Sequence, residues 1–242
     1  KILRAVKPRT IYIAADGPRD GVLKDLDKCL KVKNEIDKID WECNIQKKYS
    51  ETNLGCGVNP SEAISWALED SEEVIILEDD CMPIIDFFKY SDELLELYRN
   101  DDRMMMISGN NHTFGNFQFN HSYEFSHHTQ TYGWATWKRA WIKYDLNMTI
   151  WPEMGSLEWL EEKTGSKKSA KFWLRIFEMC YQKELQTAWD YQWTFCCWIN
   201  NGLNIIPRVN LVTNVGFSSD GTHEIDPDHL ISNVPVSPID FP

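Results

Sequence analysis

The chain has 242 residues and a formal net charge of −12, long enough to bury a sizeable core as one large domain or two small ones. Hydrophobic residues at 43% and charged residues at 26% exclude global disorder. The acidic balance excludes a general nucleic-acid binder, which needs a basic face, and no apolar run approaches the roughly 20 residues that cross a bilayer. Seven cysteines without CxxC spacing support neither a disulfide framework nor a zinc site, so a reducing, cytoplasmic setting is expected. The chain opens at Lys1 with no signal-peptide pattern and reads as a piece of a longer polypeptide.

In chain order, Lys1 to Val6 reads as the tail of a helix ended by Pro8. Thr10 to Ala15 is a buried strand by its β-branched and apolar content, closed by the turn Asp16-Gly17-Pro18. Asp20 is positioned to cap a helix to about Asn34, and Trp41 to Lys47 is a second strand. Asn59-Pro60-Ser61-Glu62 has the signature of a helix start, running to about Glu69. Glu73 to Leu77 is a third strand, whose unbroken aliphatic run predicts burial on both faces, as in a parallel sheet. A helix over Asp86–Arg99 carries Phe87, Leu94, Leu95 and Tyr98 as an apolar stripe, and Met104 to Ser108 is a fourth strand. Helices follow at Ser156–Lys163, Ser169–Glu184 and Ala188–Asn200.

The alternation predicts an α/β fold, with an open sheet flanked by helices. No repeat or linker interrupts it, so residues 1–242 read as one domain with two sub-regions, about 1–110 and about 111–242.

The sharpest feature is Val74-Ile75-Ile76-Leu77-Glu78-Asp79-Asp80, an apolar strand running into three acids. Ligands of open α/β sheets sit beyond the carboxyl ends of strands. If the extended backbone persists, Glu78 and Asp80 share one side and Asp79 takes the other. Three crowded carboxylates repel one another unless a cation neutralises them. Hard oxygen ligands suit Mn²⁺ or Mg²⁺, which bind through one or two carboxylates and substrate phosphates. The competing reading is a solvated acidic turn. Asp16 and Gly17 also follow a strand, and neither turn has a dinucleotide or P-loop fingerprint.

Glu78-Asp79-Asp80-Cys81-Met82-Pro83, followed by Asp86-Phe87-Phe88-Lys89-Tyr90, resembles the acidic metal motif and next helix of GT-A glycosyltransferases, notably the N-acetylglucosaminyltransferase I group and bacterial sugar-nucleotide transferases. Ser108-Gly109-Asn110-Asn111, Gly133-Trp134, Trp189-Asp190-Tyr191-Gln192-Trp193, Pro207-Arg208, Gly216 and His223 extend the likeness in the same order. It implies a GT-A-like open mixed sheet whose first strand lies ahead of Lys1. It also implies a metal-dependent, inverting hexosyltransferase of polysaccharide biosynthesis. The donor would be a nucleoside diphosphate sugar, of the UDP type, and the acceptor a glycan or other hydroxyl. The first sub-region would hold nucleotide and metal, the second the acceptor, and the protein would lie peripheral to a membrane-associated glycan assembly.

The same resemblance implies roles. Asp80 would coordinate Mn²⁺ (or Mg²⁺), Asp79 would lie near the ribose, and Glu78 would support the site or reach the donor sugar. Asp16, with Gly17, would contact the base. Asp190 would be the catalytic base, and His223 would touch the diphosphate or complete the metal shell. Gly133 and Trp134 would contact donor or acceptor sugar. Asp190 also reads as a first-turn residue of a helix capped by Thr187, facing the helix dipole. Trp137, Trp141, Trp151 and Trp159 are offered both as sugar platforms and as core. His112, His121, His127 and His128 read as a polar surface loop. Two other functions stay open: a non-catalytic carbohydrate-binding domain on a degenerate transferase fold, and a sugar nucleotidyltransferase.

Overall fold

Residues 2–185, 188–217 and 229–240 are described by a computed structural model, in which the chain forms two compact units. One comprises Leu3–Glu69 and Tyr144–Cys196, the other Asp70–Lys143 and Cys197 onward. The division therefore falls at three points along the chain and not at residue 110.

In the first unit the opening helix α1 (Ile2–Val6) stops at Lys7, whose φ of 52° leaves the helical region ahead of Pro8. Strand β1 (Thr10–Ala15) pairs in parallel with β2 (Asn44–Tyr49), Thr10 opposite Asn44 through Ala15 opposite Tyr49, and in this two-stranded sheet it is half-buried, not buried as expected. Parallel strands need a crossover, and α2 (Leu23–Ile36) supplies it. Asp20 does not cap this helix; Asp25 in its first turn instead takes Arg19 in a two-pronged pair at 2.6 and 3.0 Å. Helix α3 (Gly55–Asp70) starts four residues before the expected Asn59, so Pro60 lies inside it. Proline removes one backbone donor there, and Ser61 Oγ donates to the Gly57 and Val58 carbonyls at 3.1 and 2.9 Å.

The second unit holds strand β3 (Glu73–Ile76), the short β4 (Cys81–Pro83), α4 (Ile85–Leu97), β5 (Met104–Ser108), β6 (Tyr123–Ser126), β7 (Trp134–Trp137) and α5 (Lys138–Trp141). Its core is built by Phe87, Tyr90, Leu94 and Leu95 of α4 on Met104, Ile107, Ala135 and Trp137 of the sheet. Trp137 Nε1 donates to the Leu95 carbonyl at 3.0 Å. Arg139 donates to the Tyr98, Arg99 and Met104 carbonyls, placing a cation where the α4 dipole is negative.

The first unit resumes with α6 (Trp151–Met154), α7 (Leu157–Thr164), α8 (Lys167–Tyr181) and the start of α9 (Asp190–Ile199), whose residues from Cys197 on are counted with the second unit. Ser156 and Ser166 cap α7 and α8, accepting from Trp159 N and Ser169 N. Phe177 is wholly buried, its ring 5.5 Å from Trp151 and 5.4 Å from Phe195. The chain then returns to the second unit with β8 (Leu203–Pro207) and β9 (Val212–Asn214).

The second unit's sheet has the order β3-β7-β5-β8-β6. It is mixed: β5 and β8 are parallel, while β3–β7, β7–β5 and β8–β6 are antiparallel. The fold is thus α/β with a mixed sheet and helices, as expected. The expected parallel, doubly buried setting of the third strand is not found. β3 lies at the sheet's edge, antiparallel to β7, and its residues are half-buried. An aliphatic run fits either strand direction; β5 and β7 are the strands of this sheet buried along their whole length. Among the described residues no helix is long and apolar enough to cross a membrane.

Phe177→Ala should cost roughly 3–5 kcal/mol, the range for truncating a buried aromatic, whereas the exposed Phe172→Ala should change stability little. Urea unfolding of both variants checks this, and equal effects would contradict the aromatic core described for the first unit.

Candidate functional site

Strand β3 ends at Ile76, and the chain turns at the acids, with Cys81 N donating to the Glu78 carbonyl at 3.1 Å. The expected alternation of side chains therefore does not run through the triplet. Glu78 and Asp79 are exposed and Asp80 is half-buried. After the turn, β4 pairs antiparallel with β9, Cys81 opposite Asn214 and Pro83 opposite Val212. The pairing continues as Val215 N donates to the Asp80 carbonyl at 2.9 Å, and Asn214 Oδ1 accepts from Gly216 N at 2.7 Å. A Cβ at residue 216 would lie 2.4 Å from Asp80 Oδ2. Only glycine lets the backbone close on this carboxylate so nearly.

On its other side Asp80 Oδ1 accepts from the Cys81 thiol at 3.7 Å. Burial, followed by the nearby acids, pushes that thiol's ionisation far upward, so it stays a donor. Asp80 thus presents a seated, hard carboxylate whose described hydrogen bond is a weak one to sulfur. Among the described residues no three His, Cys, Asp or Glu side chains converge as a metal cage. A dication such as Mn²⁺ or Mg²⁺ takes one or two protein carboxylates and fills its shell from phosphate and water, a donor set that Asp80 fits. His223 and the loop that carries it lie outside the described residues.

The same unit builds a polar cluster beyond β5. Asn110, wholly buried, accepts from Tyr132 N at 3.2 Å and donates to Gln130 Oε1 at 3.1 Å. Asn111 donates to the Pro207 carbonyl at 2.7 Å and accepts from Thr113 Oγ1, also at 2.7 Å. His112 is held between them, stacked on Phe114 at 5.8 Å and edge-on to Tyr132 at 5.6 Å. Burial brings its pKa down to about 4, so the imidazole is neutral near pH 7. Tyr132 in turn meets Phe217 at 6.2 Å, next to Gly216. His112 is therefore no surface-loop histidine but part of a fixed aromatic and amide frame. Its sequence signal is the run of amide residues before it, which here serve as brackets.

Gly133 is buried with φ of 71°. Trp134 is fully buried in β7, its ring 6.0 Å from Trp141. As a sugar platform Trp134 is corrected: a ring with no exposed surface packs the core. Trp137, Trp141 and Trp151 are buried as well. Alternating sheet geometry and helix packing recruit these indoles before a ligand can.

In the first unit the Asp16 carboxylate accepts from Gly17 N and Leu54 N at 2.8 Å, Gly55 N at 2.9 Å and Asn53 Nδ2 at 3.0 Å. Those four donors fill the roughly four acceptor positions of a carboxylate. Asp16 therefore ties the turn after β1 to the start of α3. Gly17 is buried, and a Cβ there would meet the Thr52 backbone at 2.5 Å.

Asp190 opens α9 and is half-buried. Thr187, the expected cap, lies outside the described residues. Tyr144 donates its hydroxyl to the Trp189 carbonyl at 3.1 Å. Burial, then the charge of Asp190, pushes the Tyr144 and Tyr191 hydroxyls up, and lifts the Cys180 thiol to about 12. Asp190 is thus the anion in a pocket of groups that stay protonated.

A scan of protein-family models gives no match to this chain, and no curated protein is significantly similar to it.

The depressed His112 pKa makes a pH prediction. Between about 6.5 and 4 the unfolded chain binds more protons than the folded one, so stability falls as pH drops through that window. His128, lowered by burial and by His127, acts in the same direction. His112→Gln should flatten the loss in urea titrations across this range; an unchanged slope would contradict the buried neutral imidazole.

Proposed function

We propose that this chain is a metal-dependent, inverting glycosyltransferase on a GT-A-like fold. It moves a sugar from a nucleoside diphosphate donor, of the uridine type, to a hydroxyl of a glycan or similar acceptor. The observation that carries the reading is Asp80: a carboxylate at the end of a strand, seated on a glycine backbone and hydrogen-bonded to a thiol. A structural acid turn has no need of that seat. The resemblance of the Glu78-Asp79-Asp80 and Trp189-Asp190 motifs to GT-A enzymes supports it from the sequence.

The resemblance gives the chemistry to two carboxylates, Asp80 in the second unit and Asp190 in the first. Asp80 would hold the dication, which when bound shields the charge of the departing diphosphate. The exposed Glu78 and Asp79 accept hydrogen bonds from sugar and ribose hydroxyls. Asp190 takes the proton of the acceptor hydroxyl as its oxygen attacks the anomeric carbon and the bond to the diphosphate oxygen breaks. Around it Tyr144 and Tyr191 stay protonated, so neither adds a second anion beside the acceptor hydroxyl. Asp16 serves indirectly, through the Asn53–Gly55 loop that it holds. His223 keeps its proposed diphosphate contact on the resemblance alone.

A second reading, a glycan-binding module without transfer, is favoured by one specific observation. Asp16 and Trp134, two expected donor contacts, are committed to the loop and the core. Isothermal titration with Mn²⁺ and UDP, together with transfer assays on UDP-sugars, separates the two. Asp190→Asn should lower transfer by about 10²–10⁴-fold, the usual worth of a general base, and leave nucleotide binding intact. Asp80→Ala should remove metal-dependent nucleotide binding itself. Failure of the wild-type protein to bind any uridine nucleotide with Mn²⁺ would sink the transferase reading.

A further inference from the structure

Within the first unit an open cleft of about 440 Å³ lies along α3, inside the roughly 300–1,000 Å³ common for small-molecule sites. Its apolar wall is Trp66, Tyr144 and Leu146, and its rim carries Lys48, Glu62 and Glu69. Glu62, Trp66 and Glu69 stand at positions i, i+4 and i+7 of one helix and so share a face. That face presents an indole between two carboxylates.

The parts of the cleft are held in place before any ligand arrives. Tyr12 meets the Trp66 ring edge-on at 5.4 Å. Tyr144 is fixed by its hydroxyl on the Trp189 carbonyl and by Trp193, 6.2 Å from its ring. Asp145, also in the lining, is tied by Asn147 N, Thr149 N and Thr149 Oγ1. Preorganisation of this kind lowers the ordering cost of binding.

The chemistry selects the ligand class. A pyranose offers an apolar C–H face to an aromatic ring and hydroxyl donors at its edge, where carboxylates accept charge-assisted hydrogen bonds. An organic cation would also favour indole and carboxylate, but Lys48, 3.4 Å from Glu62, already sets a positive charge at the mouth. We propose that this cleft binds a saccharide. On the transferase reading, on which this last step rests, it holds a sugar of the acceptor glycan beyond the one that reacts.

Direct binding, with no donor present, tests the inference. Saturation-transfer NMR and calorimetry would use methyl β-glucoside, methyl β-galactoside, lactose and N,N′-diacetylchitobiose, with spermidine as the cationic probe. At least one saccharide should bind, with its C–H face most strongly saturated. Trp66→Ala should weaken it by about tenfold or more, equivalent to about 1.4 kcal/mol. Trp66→Phe keeps a ring against Tyr12, guards against misfolding, and should bind more weakly than wild type. No saccharide binding, spermidine binding in its place, or wild-type affinity in both Trp66 variants would overturn the proposal. Saccharide binding without any Mn²⁺-dependent UDP binding would uphold the cleft and end the transferase reading; the reverse result would do the opposite.

Discussion

The three-residue ladder between β4 and β9 is the constraint on which the candidate site depends. It brings Val215 and Gly216 back onto the turn that contains the acids, so the Asp80 carbonyl is bonded and its carboxylate is seated. Without it, Glu78-Asp79-Asp80 is three exposed charges at the end of an edge strand. With it, one of the three is set apart from its neighbours: partly desolvated, fixed against backbone, and bonded to a thiol that burial keeps protonated. The same return of the chain sets Phe217 beside Tyr132, and Tyr132 beside His112. A short ladder thus organises a much larger frame, because each contact removes freedom from the next.

The aromatic content divides between two tasks. Most of the indoles are spent on packing: Trp134, Trp137, Trp141, Trp151, Trp193 and Trp198 are all buried. Large rings stiffen both units with few rotatable bonds and supply dispersion contacts where helices and strands cross. Trp66 differs, because it keeps part of its ring on the cleft wall. Charge is divided in a similar way. The net charge of −12 is spread over the chain, yet chemistry follows from where single carboxylates are held: Asp80 on a glycine, Asp16 in a cage of four N–H donors, Asp190 among protonated hydroxyls and a thiol.

Local signals in the sequence were reliable where local physics decides. Ser156–Lys163 reads as a helix, Met104–Ser108 as a strand, and Asp86–Arg99 as a helix with an apolar stripe; all three have structural counterparts. Signals failed where the outcome depends on a distant partner. The aliphatic run of β3 cannot reveal that β7 will approach it antiparallel. Asn59-Pro60 looks like a helix start, but the tie from Asp16 to Leu54 and Gly55 precedes the earlier start. The acidic triplet was legible as a site candidate, whereas the seat beneath Asp80 was not, since it comes from a glycine 136 positions away in the chain. His112 reads as a surface-loop residue because two of its partners, Gln130 and Tyr132, arrive from another segment.

The proposed Mn²⁺ role of Asp80 rests on its seat against Gly216. Electron paramagnetic resonance titration of Mn²⁺ in the presence of UDP, comparing wild type with Gly216→Ala, tests it most directly. The added methyl would meet Asp80 Oδ2 at 2.4 Å and displace the carboxylate. The wild type should show one UDP-dependent Mn²⁺ site, and a variant that remains folded should bind clearly more weakly. Equal Mn²⁺ binding by the two proteins, or none by the wild type, would contradict it.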